Sequence, residues 1–194
     1  MIIDMRTFAL AAALTSTALA SAQYVDLGIR PLGLFTAHLR LSAELPLSER
    51  FGVEPSLSGQ RFGLDIGDVS FRQRGFEVGL NPKYYFDPEE GTDGFYGFGY
   101  VRYRRFNFND PGDDIEGDDF TQTRLAAGLG VGYKFVFDNG LILEVGGGPG
   151  YALINEFDFE GEEVDLIEVD GPLRALVNLD VYGRVSLGFR LGDR

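Results

Sequence analysis

Cysteine is absent from the 194-residue chain, which excludes disulfides and any thiolate-based metal site. Tryptophan is absent as well, and His38 is the one histidine. No apolar run after the N-terminal segment is long enough for a transmembrane helix. That leaves strands as a means of crossing a bilayer, because alternation hides half of each strand from a hydropathy window. Positive charge is scarce: 17 Lys and Arg stand against 30 Asp and Glu, for a net charge of −13. So acidic a chain is not expected to bind nucleic acid through its phosphates. Gly146-Gly147-Gly148-Pro149-Gly150 is not followed by Lys-Ser/Thr, so there is no nucleotide-binding loop of the Walker type.

What the chain does have is glycine and aromatic residues, 27 Gly, 17 Phe and 9 Tyr, spaced with a period of two. The clearest case is residues 173–191. There Ala175, Val177, Leu179, Val181, Gly183, Val185, Leu187, Phe189 and Leu191 fall on one face. Arg174, Asn178, Asp180, Arg184, Ser186 and Arg190 fall on the other. Alternation of this kind is a strand with one oily and one polar face. Its length suits a tilted crossing of a bilayer better than an ordinary sheet. Lipid outside and a polar lumen inside is the arrangement of a transmembrane β-barrel.

The same pattern recurs over residues 34–45, 51–60, 75–86, 95–105, 123–137 and 141–153. An eighth, shorter element is expected at residues 24–30, where Val25, Leu27 and Ile29 oppose Asp26, Gly28 and Arg30. The fold class read from this is all-β, an antiparallel up-and-down barrel of eight strands. Connections alternate in length. Residues 46–50 are short, and Asp138-Asn139-Gly140 reads as a tight hairpin with a positive φ. Residues 61–74, 107–122 and 154–172 are long, and residues 87–94 intermediate. Short turns are expected in the periplasm and long loops outside. Pro149 is expected at a bulge. Outward aromatics form two bands: Phe51, Tyr84, Phe86, Phe95, Tyr133, Phe135, Phe137 and Phe189 near the periplasmic ends, and Phe35, Phe76, Tyr103 and Tyr151 near the external ends.

Before the first strand, residues 1–22 read as a secretory signal peptide. Arg6 is the basic residue, residues 8–14 are apolar, and Ala20-Ser21-Ala22 is a small-residue cleavage site. The barrel domain then spans residues 23–194.

Eight strands leave room for side chains rather than for a water-filled channel. The inward positions carry Arg40, Lys83, Arg102, Arg104, Arg124, Lys134, Arg174 and Arg184, facing Glu44, Glu54, Glu77, Glu144 and Asp180. Buried charges need partners, so these are expected to form a lumenal salt-bridge network. Inward glycines at 128, 130, 132, 146, 148 and 150 face Tyr96, Phe98 and Tyr100. Small against large fits a packed taper. The sharper alternative is a cavity beside the glycine wall for a small amphiphile.

Among the external loops, Asp110, Asp113, Asp114, Glu116 and Asp118 could hold a weakly bound divalent cation. They lack EF-hand spacing, and a solvated acidic surface is the preferred reading. His38 shares a face with Ser42 and Glu44, but steps of roughly 7 Å along a strand are too long for a nucleophile–base bond. A lumenal histidine with a hydrogen-bond partner is expected. No catalytic constellation and no cofactor are expected.

The cleavage site Ala20-Ser21-Ala22, the strand Gly128-Leu129-Gly130-Val131-Gly132-Tyr133 and the ending Val185-Ser186-Leu187-Gly188-Phe189-Arg190-Leu191 together resemble small outer-membrane β-barrel proteins of OmpA/OmpX-like or OmpW-like size. The stretch from Pro31 through Glu44 to Phe51 is similar to uncharacterised outer-membrane families. The resemblance covers nearly the whole chain after residue 22. It implies outer-membrane lipid as surroundings and recognition of the last strand by the barrel-insertion machinery. Here Phe189 is followed by five more residues, which displaces the C-terminal aromatic signal. The function implied is structural or surface-interacting, with a narrow charged lumen and no general porin channel. The alternative is an envelope barrel that binds or modifies lipid.

Overall fold

The period of two becomes the two sides of one curved wall. The computed structural model describes residues 24–31, 33, 38–66, 69–89, 91–109, 120–159, 162–165 and 173–192. Strands β1 (Tyr24–Ile29), β2 (His38–Pro46), β3 (Phe51–Ile66), β4 (Val69–Tyr85), β5 (Gly94–Asn109), β6 (Phe120–Val136), β7 (Leu141–Phe159) and β9 (Leu179–Gly192) pair antiparallel, each with the next. β9 pairs back onto β1 from Tyr24↔Gly192 to Ile29↔Leu187, so the wall is a closed barrel of eight strands. The short β8 (Glu162–Asp165) lies outside that circuit, against the far end of β7.

Alternation fixes which side each residue faces. Leu129 is 73% exposed and Val181 68%, whereas Arg102 is 8% and Glu144 3%. The oily face therefore points outward and the ionic face toward the axis, the reverse of a water-soluble barrel. The aromatic bands are outward as well. Tyr84, Phe86 and Phe95 touch one another near one end, as do Tyr133 and Phe135. Phe76 and Tyr103 touch toward the other end. Phe35 lies outside the described residues, as do residues 1–22 and the acidic positions Asp110, Asp113, Asp114, Glu116 and Asp118.

One end of the barrel carries residues 24 and 192 and three connections. At residues 46–51, Leu47 N–H donates to Phe51 O at 2.8 Å. In the Asp138-Asn139-Gly140 turn, Gly140 has φ +83° and donates to Phe137 O at 2.8 Å. In the third connection, between β4 and β5, Thr92 is completely buried. Gly91 makes this possible, with φ +73° and the Tyr24 ring where a Cβ would sit.

Several elements differ from the pattern read in the sequence. Residues 61–74 are not a long loop: β3 and β4 continue to the pair Ile66↔Val69. Likewise β5 reaches Asn109, and β6 begins at Phe120. The alternation inverts there. Arg61, Arg72, Arg74 and Arg105 are exposed on the outside, while Phe106 is buried within and Phe108 stacks on Phe120. Strands of 16–19 residues exceed the roughly 9–11 that a bilayer requires, so these ends stand clear of it. In water the preference for oily residues on the outside ends, but strand pairing does not.

Residues 173–191 are not one strand. Leu173–Asn178 forms the short helix α1, and β9 begins at Leu179. The β7–β9 ladder ends at the pair Tyr151↔Leu179, and β8 takes the same edge of β7 only from Glu156 to Phe159. Beside the stretch between them the chain coils, and Asn155 Nδ2 donates to Asn178 Oδ1 at 3.1 Å, a side-chain link in place of a ladder pair. Finally, the ladder keeps its register at Pro149, and the β6–β7 irregularity lies between Leu125 and Ala126.

The glycine wall is filled rather than hollow. A Cβ on Gly132 would lie 2.4 Å from the Tyr96 hydroxyl, one on Gly130 2.4 Å from the Phe98 ring, and one on Gly128 2.5 Å from the Tyr100 ring. Volume compensation accounts for this wall, since the rings of Tyr96, Phe98 and Tyr100 fill the space a side chain at Gly132, Gly130 or Gly128 would need. Gly132→Val should destabilise the barrel by about 1–3 kcal/mol, with Tyr96→Ala in the same chain restoring part of the loss. Urea midpoints of the folded band on unheated gels measure both.

Candidate functional site: a charged lumen with a cationic mouth

Inward side chains sort into layers along the axis. Nearest the turn end lies a neutral ionic cluster. Lys83 on β4 donates to Glu44 of β2 and Glu54 of β3, each at 2.7 Å, and to Glu144 of β7 at 2.6 Å. Arg184 on β9 pairs with Glu54 and with Glu144. Lys134 pairs with Glu44 and with Asp26. Arg190 holds Asp26 through two donors, Nε at 2.7 Å and Nη2 at 2.8 Å. Four cations thus face four carboxylates, and every one is at most 5% exposed.

Neutral donors complete the cluster. Tyr85 donates to Glu44 at 2.7 Å and Tyr96 to Glu144 at 2.6 Å. Asn81 donates to Glu54 and to the Tyr182 hydroxyl, both at 3.1 Å, a link from β4 to β9 across the lumen. In a low-dielectric interior such charges are tolerable only when saturated with partners in this way. Above the cluster, Phe98, Tyr100 and Tyr182 form an aromatic layer, with Tyr100 and Tyr182 stacked at 4.8 Å.

The layer beyond is cationic. Asp180 accepts from Arg102 Nη2 at 2.7 Å, Arg104 Nη2 at 3.0 Å and the Tyr100 hydroxyl at 2.9 Å, with Arg124 at 3.6 Å. Arg40 pairs with Glu77. Arg30 lies over the Tyr182 ring, 4.7 Å from its centroid. Among the described residues, five arginines here share two carboxylates. A cavity of about 430 Å³ opens among them.

Twelve of the thirteen ionic residues expected in the lumen occur in these two layers. The thirteenth, Arg174, has its backbone in α1 rather than in a strand, and its side chain lies outside those described. Asp26, Arg190 and Arg30 are additional. Asp26 and Arg190 lie on polar faces of their strands, but the pair closes the barrel between strands at opposite ends of the sequence. No local spacing signals that juxtaposition. Thr92 is also additional: its carbonyl accepts from Arg190 Nη2 at 3.2 Å. His38 borders the cavity, and its Nε2 is buried without the partner that was expected.

The oxygens of Glu44, Glu54 and Glu144 lie within 4.8 Å of one another, the spacing of a cation site. The Lys83 ammonium occupies that position. Lys83→Met should cost about 3–5 kcal/mol, since it leaves three buried carboxylates without their shared cation. Millimolar Ca²⁺ should restore part of that stability to the variant and leave the parent protein unchanged, as read from urea midpoints with and without the ion.

Residues 7–173 match the model of a family described as "Protein of unknown function (DUF3575)", and the chain belongs to that family. No curated protein matches the chain. Among solved structures, a major outer membrane protein from Thermus thermophilus is similar at 17% identity and TM-score 0.51, covering 87% of this chain and 98% of that one. Ail, the attachment invasion locus protein of Yersinia pestis, aligns at 12% identity and TM-score 0.49 over 88% of this chain and 99% of that one. Neisserial surface protein A aligns at 15% identity and TM-score 0.43, over 88% and 95%. The Thermus protein shares the barrel fold.

Proposed function

We propose that this member of the DUF3575 family is a non-conducting barrel of the bacterial outer membrane whose working surface is its external, long-stranded end. The observation that carries the proposal is the saturated cluster around Lys83. Side chains from β2, β3, β4, β7 and β9 meet across the lumen with every charge paired, so the axis is solid protein. Hydrated ions would have to break several of these pairs at once to pass. The outward hydrocarbon-like face with its aromatic bands supports residence in lipid. Thr92 lies fully buried at the turn end, and partner contacts are assigned to the opposite end.

A structural or surface-interaction role fits these features, and the barrel needs no cofactor for it. Surrounding outer-membrane lipid and insertion through β9 by the barrel-assembly machinery belong to the same proposal. The outward faces of the membrane span are apolar, so among the described residues no polar catalytic group is presented at the lipid-facing rim.

The test is fractionation followed by conductance. The protein should sediment with outer membranes and migrate faster on gels unheated than heated. In planar bilayers the purified barrel should give no channel steps above background. Recovery in the soluble periplasmic fraction, or regular ion-conducting steps, would overturn the proposal.

A further inference from the structure

On β9 the odd-numbered residues turn their N–H and C=O groups toward β1, as the pair Ile29↔Leu187 requires. β1 ends at Ile29, so among the described residues no strand pairs with that edge at Leu179, Val181 or Gly183. Arginine side chains reach that edge instead. The carbonyl of Leu179 accepts from Arg124 at 2.7 Å, that of Val181 from Arg102 at 3.2 Å, and that of Gly183 from Arg30 at 3.4 Å. Among the described residues the wall therefore has a seam where guanidinium groups, not a strand, meet the carbonyls of β9.

The 430 Å³ cavity reaches this seam: Val181 and Gly183 line it together with Arg30, Arg40, Arg102 and Arg104. Among the described residues, Glu77 is the one carboxylate in its lining, and Arg40 already holds it. Among the described residues, the Nε atoms of Arg30 and Arg104 and the Nε2 of His38 are buried with no partner. On the outer wall, an apolar groove of about 470 Å³ lies over the last three residues of β1, between Leu27, Ile29, Leu41, Leu187 and Phe189.

We propose that the seam binds an anionic amphiphile, its oxyanion head in the arginine-lined cavity and its hydrocarbon chain in the groove on the lipid-facing wall. Guanidinium forks match the planar geometry of carboxylate and phosphate oxygens. Unpaired buried N–H groups gain the most from such a partner. The two volumes lie about four residues apart along β9, from Gly183 to Leu187, which is roughly 13 Å of strand. The apolar Val185 faces outward along that path. A free anion would use the cavity alone, whereas a chain-bearing one would use both.

The inference rests on residence of the barrel in a bilayer, which the mobility shift reports separately. The barrel, in phosphatidylcholine nanodiscs, is titrated with dodecyl phosphate, inorganic phosphate and dodecyl maltoside while the arginine Nε–H signals are followed by NMR. Dodecyl phosphate should shift the Arg30 and Arg104 signals saturably, inorganic phosphate only at about tenfold or higher concentration, and the neutral maltoside not at all. Arg30→Gln with Arg104→Gln should weaken dodecyl phosphate by about tenfold or more. Leu41→Trp, which fills the groove, should weaken dodecyl phosphate and spare inorganic phosphate. If the arginine variant does not fold, the three-ligand comparison on the parent protein decides. Equal affinity for the two phosphates would make this a free-anion site and overturn the amphiphile assignment. An inserted, heat-modifiable barrel with no saturable shift would overturn the site while leaving the barrel reading intact.

Discussion

In hydrocarbon, a backbone N–H or C=O group has no water to turn to, and each one left unbonded costs several kcal/mol. The rest of this molecule follows from that constraint. The ladder has to be continuous around the barrel, so β1 must meet β9 although they lie at opposite ends of the sequence. Once the ring is closed, alternation divides the side chains without further choice, oily ones outward and ionic ones toward the axis. Among the described residues the ladder lapses at the edge of β9 beyond Leu187, and there Arg30, Arg102 and Arg124 reach the carbonyls.

The interior then has to accommodate charge, and it does so differently at its two ends. Toward the turn end, four cations and four carboxylates compensate one another and are shielded from solvent by Tyr85, Tyr96 and the aromatic layer above. Replacing such a cluster by apolar residues can be neutral or stabilising, so stability alone does not explain it. A polar lumen does prevent the chain from turning inside out in lipid, because the ionic face cannot be the outer one. Toward the other end the balance shifts to arginine, in a protein that is strongly acidic as a whole. Local excess of one sign in a confined cleft concentrates counter-ions of the other.

The barrel was legible in the sequence because its determinant, alternation over a full span, is local. The inward positions of Tyr96, Phe98, Tyr100, Arg102, Lys134 and Glu144 could be read from parity alone. The strand ends could not. Beyond the bilayer the oily–polar contrast of residues 61–74 disappears while pairing continues, so the β3–β4 hairpin looked like a loop. Residues 173–178 show the opposite failure: they alternate well, yet they coil, and Asn178 meets β7 through the Asn155 side chain rather than through a ladder pair. The closing pair Asp26–Arg190 and the seam at β9 depend on which strand ends first, information held in no local window. The arginine-rich mouth was visible as a set of residues but not as an excess, because that requires knowing which carboxylates lie close by.

The joint between β1 and β9 also bears on how the barrel forms. Its contacts link residues as far apart as Asp26 and Arg190, separated by 164 positions, so they carry a large loop-closure penalty. Neighbouring hairpins such as β3–β4 can assemble early, but the last joint waits for the final fourteen-residue strand. Until then both outer edges of the unfinished sheet are bare and open to pairing with a foreign strand. The two-pronged grip of Arg190 on Asp26 acts as a latch: it engages only when the first and last strands have found each other in register.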